Sequence, residues 1–206
     1  MLRPFATRFC TASRLSFASK RCNIARAFSS ESVTESEVLK LQKNWANAIT
    51  SISGVYKDKG DYIKAAADAA GELYGYGHSQ VLFKPTRAAE FPFRPTANEA
   101  MSYFVGGNAV DGGYNEDAGF AINGGKGWSK VEFNNHAIDL NGTVAIAMGT
   151  YNFTCATTGD VVKVEYTFGY KRNEDGKARI FLHHSSVPYE RVNEDYSHIL
   201  YSSRAL

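Results

Sequence analysis

Residues 161–187 read VVKVEYTFGYKRNEDGKARIFLHHSSV, and their period decides the fold class. From Val161 to Lys171 apolar and polar side chains alternate, which is the pattern of a half-buried strand. Asn173-Glu174-Asp175-Gly176 is turn chemistry, and Ala178–Val187 continues as a second strand, so the segment predicts a tight hairpin. In the second strand Ala178, Ile180 and Leu182 are expected on one face, with Arg179, Phe181 and His183 on the other. Beyond them His183 shares a face with Ser185, and His184 shares the opposite face with Ser186. Four consecutive hydrogen-bonding side chains on an apolar strand need partners if they are buried.

Upstream, Trp128–Ile138 and Thr143–Thr154 show the same period two, joined by turns at Gly142 and at Thr157-Thr158-Gly159-Asp160. Three successive hairpins predict an antiparallel meander. Before Trp128 the pattern is helical. Thr34 and Glu37 have capping-box spacing ahead of a stripe through Val38, Leu41, Trp45, Ala48, Ile49 and Ile52. Asp61 caps a second, alanine-rich helix through Tyr74, and Thr96 with Glu99 starts a third through Tyr103 and Phe104. His78–Phe83 reads as a short strand broken at Lys84-Pro85-Thr86. The glycine-rich run from Gly106 to Gly127 reads as turns and bulges, since no phosphate-loop pattern occurs in it. Helices first and a meander after them predict an α+β domain whose curved antiparallel sheet packs on the N-terminal helices.

The chain has 206 residues and a net charge of +2, unevenly spread. Residues 1–30 hold Arg3, Arg8, Arg14, Lys20, Arg21 and Arg26 and no acid, which leaves the remainder at −4. That composition predicts an organelle transit peptide, mitochondrial with a plastid as the alternative, cut near Phe28–Ser30. A domain is expected over residues 35–190 and a polar tail of unassigned role over 191–206. The acidic remainder carries no basic stripe for nucleic acid, and no run of 18 apolar residues suits a membrane. With Cys10 and Cys22 in the removable segment, Cys155 has no partner for an internal disulfide.

For chemistry, no CxxC or HExxH exists, and the adjacent His183 and His184 face apart, which argues against a chelating pair. No nucleophile elbow accompanies Ser185 or Ser186. Hydroxyls and an imidazole that orient a water against a small polar substrate remain a third option.

The succession Trp45-Ala46-Asn47-Ala48-Ile49, LYGYGHSQVLFKPT, Arg94-Pro95-Thr96, Tyr103-Phe104, GTYNFT, VEYTFGYKR and FLHHSSVPY resembles the iota-class carbonic anhydrases. These are placed in the association-domain-like branch of the nuclear-transport-factor-two-like superfamily. The resemblance runs from Glu35 to Tyr189, with one departure: Leu182 stands where the family's strand end has a first histidine. It implies a cone-shaped pocket between sheet and helices, and reversible hydration of carbon dioxide to bicarbonate. It implies Thr86, Tyr103 and Ser185 as hydrogen-bonding catalytic groups, with His183 orienting or relaying protons. Ser186, His184, Phe83 and Phe104 are expected to bind substrate. Proton exchange with solvent calls for a group titrating near neutrality, a role histidine suits. Leu182 weighs against a metal site, and no cofactor is expected, although the sequence leaves manganese or zinc open. The long period-two strands predict a sheet-mediated homodimer or higher homo-oligomer. A non-catalytic oligomerising or ligand-binding association domain is the alternative function.

Overall fold

The computed structural model describes residues 31–190. The expected transit peptide and C-terminal tail lie outside the described residues. Helix α1 spans Glu35–Lys57 and opens with a complete Thr34–Glu37 capping box. Helix α2, Tyr62–Leu73, starts at Asp61, whose side chain accepts from the Lys64 N–H. After strand β1, Leu82–Lys84, the Thr96–Glu99 box starts helix α3, Ala97–Val105. Two 3₁₀ turns occupy the glycine-rich stretch. Strands β2 (Trp128–Asn141), β3 (Val144–Cys155), β4 (Val161–Arg172) and β5 (Ala178–Ser186) then form the expected meander.

The sheet order is β1-β5-β4-β3-β2. The meander strands pair antiparallel, but β1 joins β5 in parallel, a pairing no hairpin announces. β1 is also shorter than the strand expected over His78–Phe83. The N–H groups of His78 and Ser79 both turn back to the Gly75 carbonyl, and Gly77 takes a positive φ. Those donors are spent on a turn and cannot enter a ladder.

The expected alternation along β5 also needs correction. Tyr170 pairs with Ile180 and Gly169 with Leu182, so Phe181 is an extra residue at a bulge. Ile180 and His183 consequently both point inward, at 0% and 2% exposure. A Cβ on Gly169 would meet the Phe181 ring at 2.7 Å, so glycine makes the room that the bulge needs. A second irregularity, between Asn135 and Ala137, sits opposite Gly149, where a Cβ would meet the Asn134 carbonyl oxygen at 2.2 Å. With a third irregularity between Trp128 and Lys130, these bulges bend the sheet around its helices.

The core lies on the concave side. Tyr151, Phe153, Tyr166, Phe168 and Tyr170 project from β3 and β4 onto Trp45 and Ile49 of α1. At the far end Arg172 ties sheet to helix, with its guanidinium on both Glu37 oxygens at 2.7 and 2.8 Å.

Candidate active site

Strand alternation after the bulge sends His183 and Ser185 into the concave side and His184 and Ser186 out of it. The register sets Phe83 of β1 and Phe168 of β4 beside His183. The Phe83 ring stacks on the imidazole at 4.6 Å and 22°, Phe168 approaches to 4.1 Å, and Trp45 meets it edge-on at 5.7 Å. This aromatic box holds the imidazole pKa well below its ordinary value, because burial disfavours the charged form; the nearby His184 adds a smaller push. His183 is therefore neutral at physiological pH. It does not supply the group titrating near neutrality that the sequence suggested.

Both imidazole nitrogens are engaged. Nδ1 lies 2.7 Å from the Tyr74 hydroxyl, which also accepts from the Trp45 indole N–H at 2.9 Å. Nε2 lies 3.0 Å from Ser185 Oγ and 3.5 Å from the Tyr151 hydroxyl. Burial raises the Tyr151 pKa, and the adjoining Ser185 and Thr86 side chains offset only part of that.

Helix α3 presents Tyr103 to the same place. Ser102, one residue earlier, donates to Asp117 at 2.6 Å, and Asp117 accepts from fully buried Arg94 at 2.8 Å. This ionic cluster clamps α3 to the glycine-rich stretch. The Tyr103 hydroxyl is buried and completes no hydrogen bond among the described residues. Burial raises its pKa, while Thr86, Arg87 and the Arg87 charge act the other way. Thr86 stands between the Tyr103 and Tyr151 hydroxyls because Pro85 ends β1 just before it. A cavity of about 130 Å³, lined in part by Arg87, Phe120 and Asn123, reaches Tyr103 from outside. Phe83 and Phe104 stack at 5.6 Å and 14°, with Tyr103 at 5.7 and 5.5 Å from them.

The fold thus brings Thr86, Tyr103, His183 and Ser185 to one cluster, with Phe83 and Phe104 as its apolar wall. It does not bring His184 and Ser186 there. These two line a cavity of about 340 Å³ on the other side of the sheet, with His136, Glu165 and Thr167. The pleat turns both away from Ser185, since neighbours of inward residues must face outward, and His184 also borders a second cavity with Phe83 and His183.

Three participants escaped the sequence reading. Tyr151 lay in a strand, and Tyr74 and Trp45 in helical stripes, all read as core. The available signal was chemical: a Tyr or Trp at a fully buried position needs a partner for its polar tip. Among the described residues no group of three or more His, Cys, Asp or Glu could hold a metal ion. The arrangement offers several hydroxyl donors, one neutral imidazole and an apolar wall, which suits binding a small molecule that gains negative charge as it reacts.

Comparison with known proteins points the same way. The model of a family described as metal-independent carbonic anhydrase matches residues 36–187. A metal-independent carbonic anhydrase of Nostoc sp. strain PCC 7120 is 42% identical over 165 residues, covering 77% of this chain and 76% of that protein. The crystal structure of a cyanobacterial iota-carbonic anhydrase complexed with bicarbonate superposes with a TM-score of 0.70 at 40% identity, covering 78% of this chain and 95% of the other.

Proposed function

The chain belongs to the metal-independent carbonic anhydrase family, and we propose that its reaction takes place in the hydroxyl cluster around His183. The reaction is the reversible hydration of carbon dioxide to bicarbonate, and the family carries it out without a metal.

Carbon dioxide is apolar and rests against Phe83 and Phe104. Thr86 and Ser185 hold the attacking water, so that two reactants meet in a fixed orientation. As the water oxygen bonds to carbon, negative charge grows on the substrate oxygens. The Tyr103 and Ser185 O–H groups donate to that charge within a buried site, where such donors act most strongly. The buried neutral imidazole holds Ser185 and carries no net charge during the reaction. Thr86 is half-buried beside exposed Arg87; its hydroxyl takes the proton leaving the water as its own proton passes to solvent water or buffer outside, while the Arg87 charge favours the anionic product. The observation that supports this assignment most directly is Tyr103, whose buried hydroxyl has no hydrogen-bond partner among the described residues and faces Thr86.

Stopped-flow measurement of carbon dioxide hydration, with and without chelator, tests the reading. Activity that persists with chelator and falls in Ser185→Ala and in Tyr103→Phe is expected. Unchanged rates in both variants would remove the site assignment, and no activity in either condition would remove the enzymatic reading.

We further propose that residues 1–30 direct the protein to the mitochondrial matrix, on their arginine-rich, acid-free composition. A fusion of residues 1–35 to a fluorescent protein that stays cytosolic, or enters a plastid, overturns this. A sheet-mediated homodimer is the accompanying proposal, supported by exposed Ile146 and Met148 on the outer face of β3; light scattering tests it. Placement in the association-domain-like branch is part of the same proposal, supported by the order of helices and meander.

A further inference from the structure

A buried hydrogen-bond chain runs from Trp45 through Tyr74 and His183 to Ser185, and its donors can be counted. The Trp45 indole N–H can only donate, and its acceptor is the Tyr74 oxygen at 2.9 Å. Tyr74 has one proton to give, and its hydroxyl is buried, with the chain's residue at 2% exposure. Besides Trp45, the partner of that hydroxyl is His183 Nδ1 at 2.7 Å. If Nδ1 carried the imidazole proton, the Tyr74 hydrogen would be buried without an acceptor. If Nδ1 is bare, every group in the chain is satisfied. A buried donor left unpaired shifts such an equilibrium on the order of tenfold or more.

We infer that Trp45 and Tyr74 are positioning residues that set the His183 tautomer, and through it aim the Ser185 proton at the substrate. Neutral His183 then carries its hydrogen on Nε2 and donates to Ser185 Oγ at 3.0 Å. That donation occupies a lone pair of Ser185 and leaves its O–H free for the reacting oxygen. In the opposite tautomer the bare Nε2 would draw the O–H of Ser185, at 3.0 Å the nearer of its two hydroxyl neighbours, with Tyr151 at 3.5 Å, and that proton would be lost to the substrate. The placement is rigid. Tyr74 ends α2 with its N–H on the Ala70 carbonyl and bridges to Ile180 of β5, and its ring stacks on His183 at 24°. Neither residue reaches the cavity beside Tyr103, so both act through His183.

This inference rests on the assignment of Ser185 as a substrate donor, but its primary test needs no turnover. In the full-length protein labelled with ¹⁵N-histidine, the imidazole nitrogens report which of them is protonated, and His183 is identified by the signal lost in His183→Gln. The expected result is the Nε2–H tautomer, unchanged across neutral pH. A protonated Nδ1 overturns the inference whatever the activity. Tyr74→Phe removes the donor to Nδ1 at nearly constant volume. It is expected to shift the tautomer equilibrium toward Nδ1–H and to lower kcat on the order of tenfold with KM unchanged. Trp45→Phe leaves the Tyr74 donor in place, so its tautomer stays and its kcat loss is smaller. A folded Tyr74→Phe with native tautomer and native kcat sinks the proposal. Should Tyr74→Phe not fold, the spectrum of the unmodified protein decides alone. Failure of the hydroxyl-site reading would show differently, as an unaffected rate in Ser185→Ala with the Nε2–H tautomer intact.

Discussion

Nε2 of His183 stands 3.0 Å from Oγ of Ser185, two residues further along the same strand. The pair needs only the pleat to form, yet it is buried among five aromatic rings contributed by α1, the α2 terminus, β1, β3 and β4. Ser185→Ala deletes the donor and leaves the strand unchanged. Its hydration rate is expected to fall about a hundredfold, the usual cost of one aimed donor, with thermal unfolding near that of the native protein. Stopped-flow rates alongside melting curves check this.

Tyr103→Phe separates activity from stability. Its hydroxyl is buried without a hydrogen-bond partner among the described residues, so removing it relieves a desolvation cost of about 1–3 kcal/mol. The variant is expected to melt at the same or a higher temperature while hydrating carbon dioxide more slowly. A lower melting point would mean that the hydroxyl has a structural partner.

Acid stability follows from His183. An unfolded chain's imidazole gains a proton near 6.5, whereas burial holds the folded group neutral until well below that. Below 6.5 the unfolded state therefore binds more protons, and stability is lost as pH falls from 6.5 toward the folded value. His183→Gln is expected to flatten that part of a melting-temperature profile. The same burial predicts no inflection from His183 in the activity profile at neutral pH.

Arg172 and Glu37 join α1 to the sheet, and the guanidinium holds the Glu37 carboxyl down to about 2. Its contribution is complete above the ordinary carboxylate range near 4.5 and is lost as pH falls through about 2. Arg172→Lys cannot bind both oxygens in a fork. It is expected to cost about 1–3 kcal/mol in chemical denaturation without changing the hydration rate of the folded protein.

Chelation is the last test. The family works without metal, and the two carboxylates that line the cavity beside Tyr103, Glu116 and Asp117, face the Arg94 guanidinium. Extended dialysis against chelator is expected to leave the rate unchanged; restoration by added manganese or zinc after a loss would contradict this.

Much of the fold was legible because its determinants are local. The capping boxes at Thr34 and Thr96, the turns at Gly142, Thr157–Asp160 and Asn173–Gly176, and the period-two strands each act over a few residues. The parallel β1–β5 pair was not legible, since its partners lie a hundred residues apart, as Phe83 and His183 do. Nor was the Phe181 bulge, which depends on room supplied by Gly169 on another strand.

The candidate site divides in the same way. By itself the sequence determined that His183 and Ser185 share a face, that His184 and Ser186 share the other, and, through family resemblance, that Thr86 and Tyr103 belong with the first pair. Only tertiary structure decided what His183 is. Its Nδ1 partner Tyr74 is 109 residues away in the chain, and the rings that strip water from it come from five separate elements. Strand geometry chooses which way a histidine points; its charge and tautomer depend on the dielectric and the donors around it, and those exist only once distant segments have packed together.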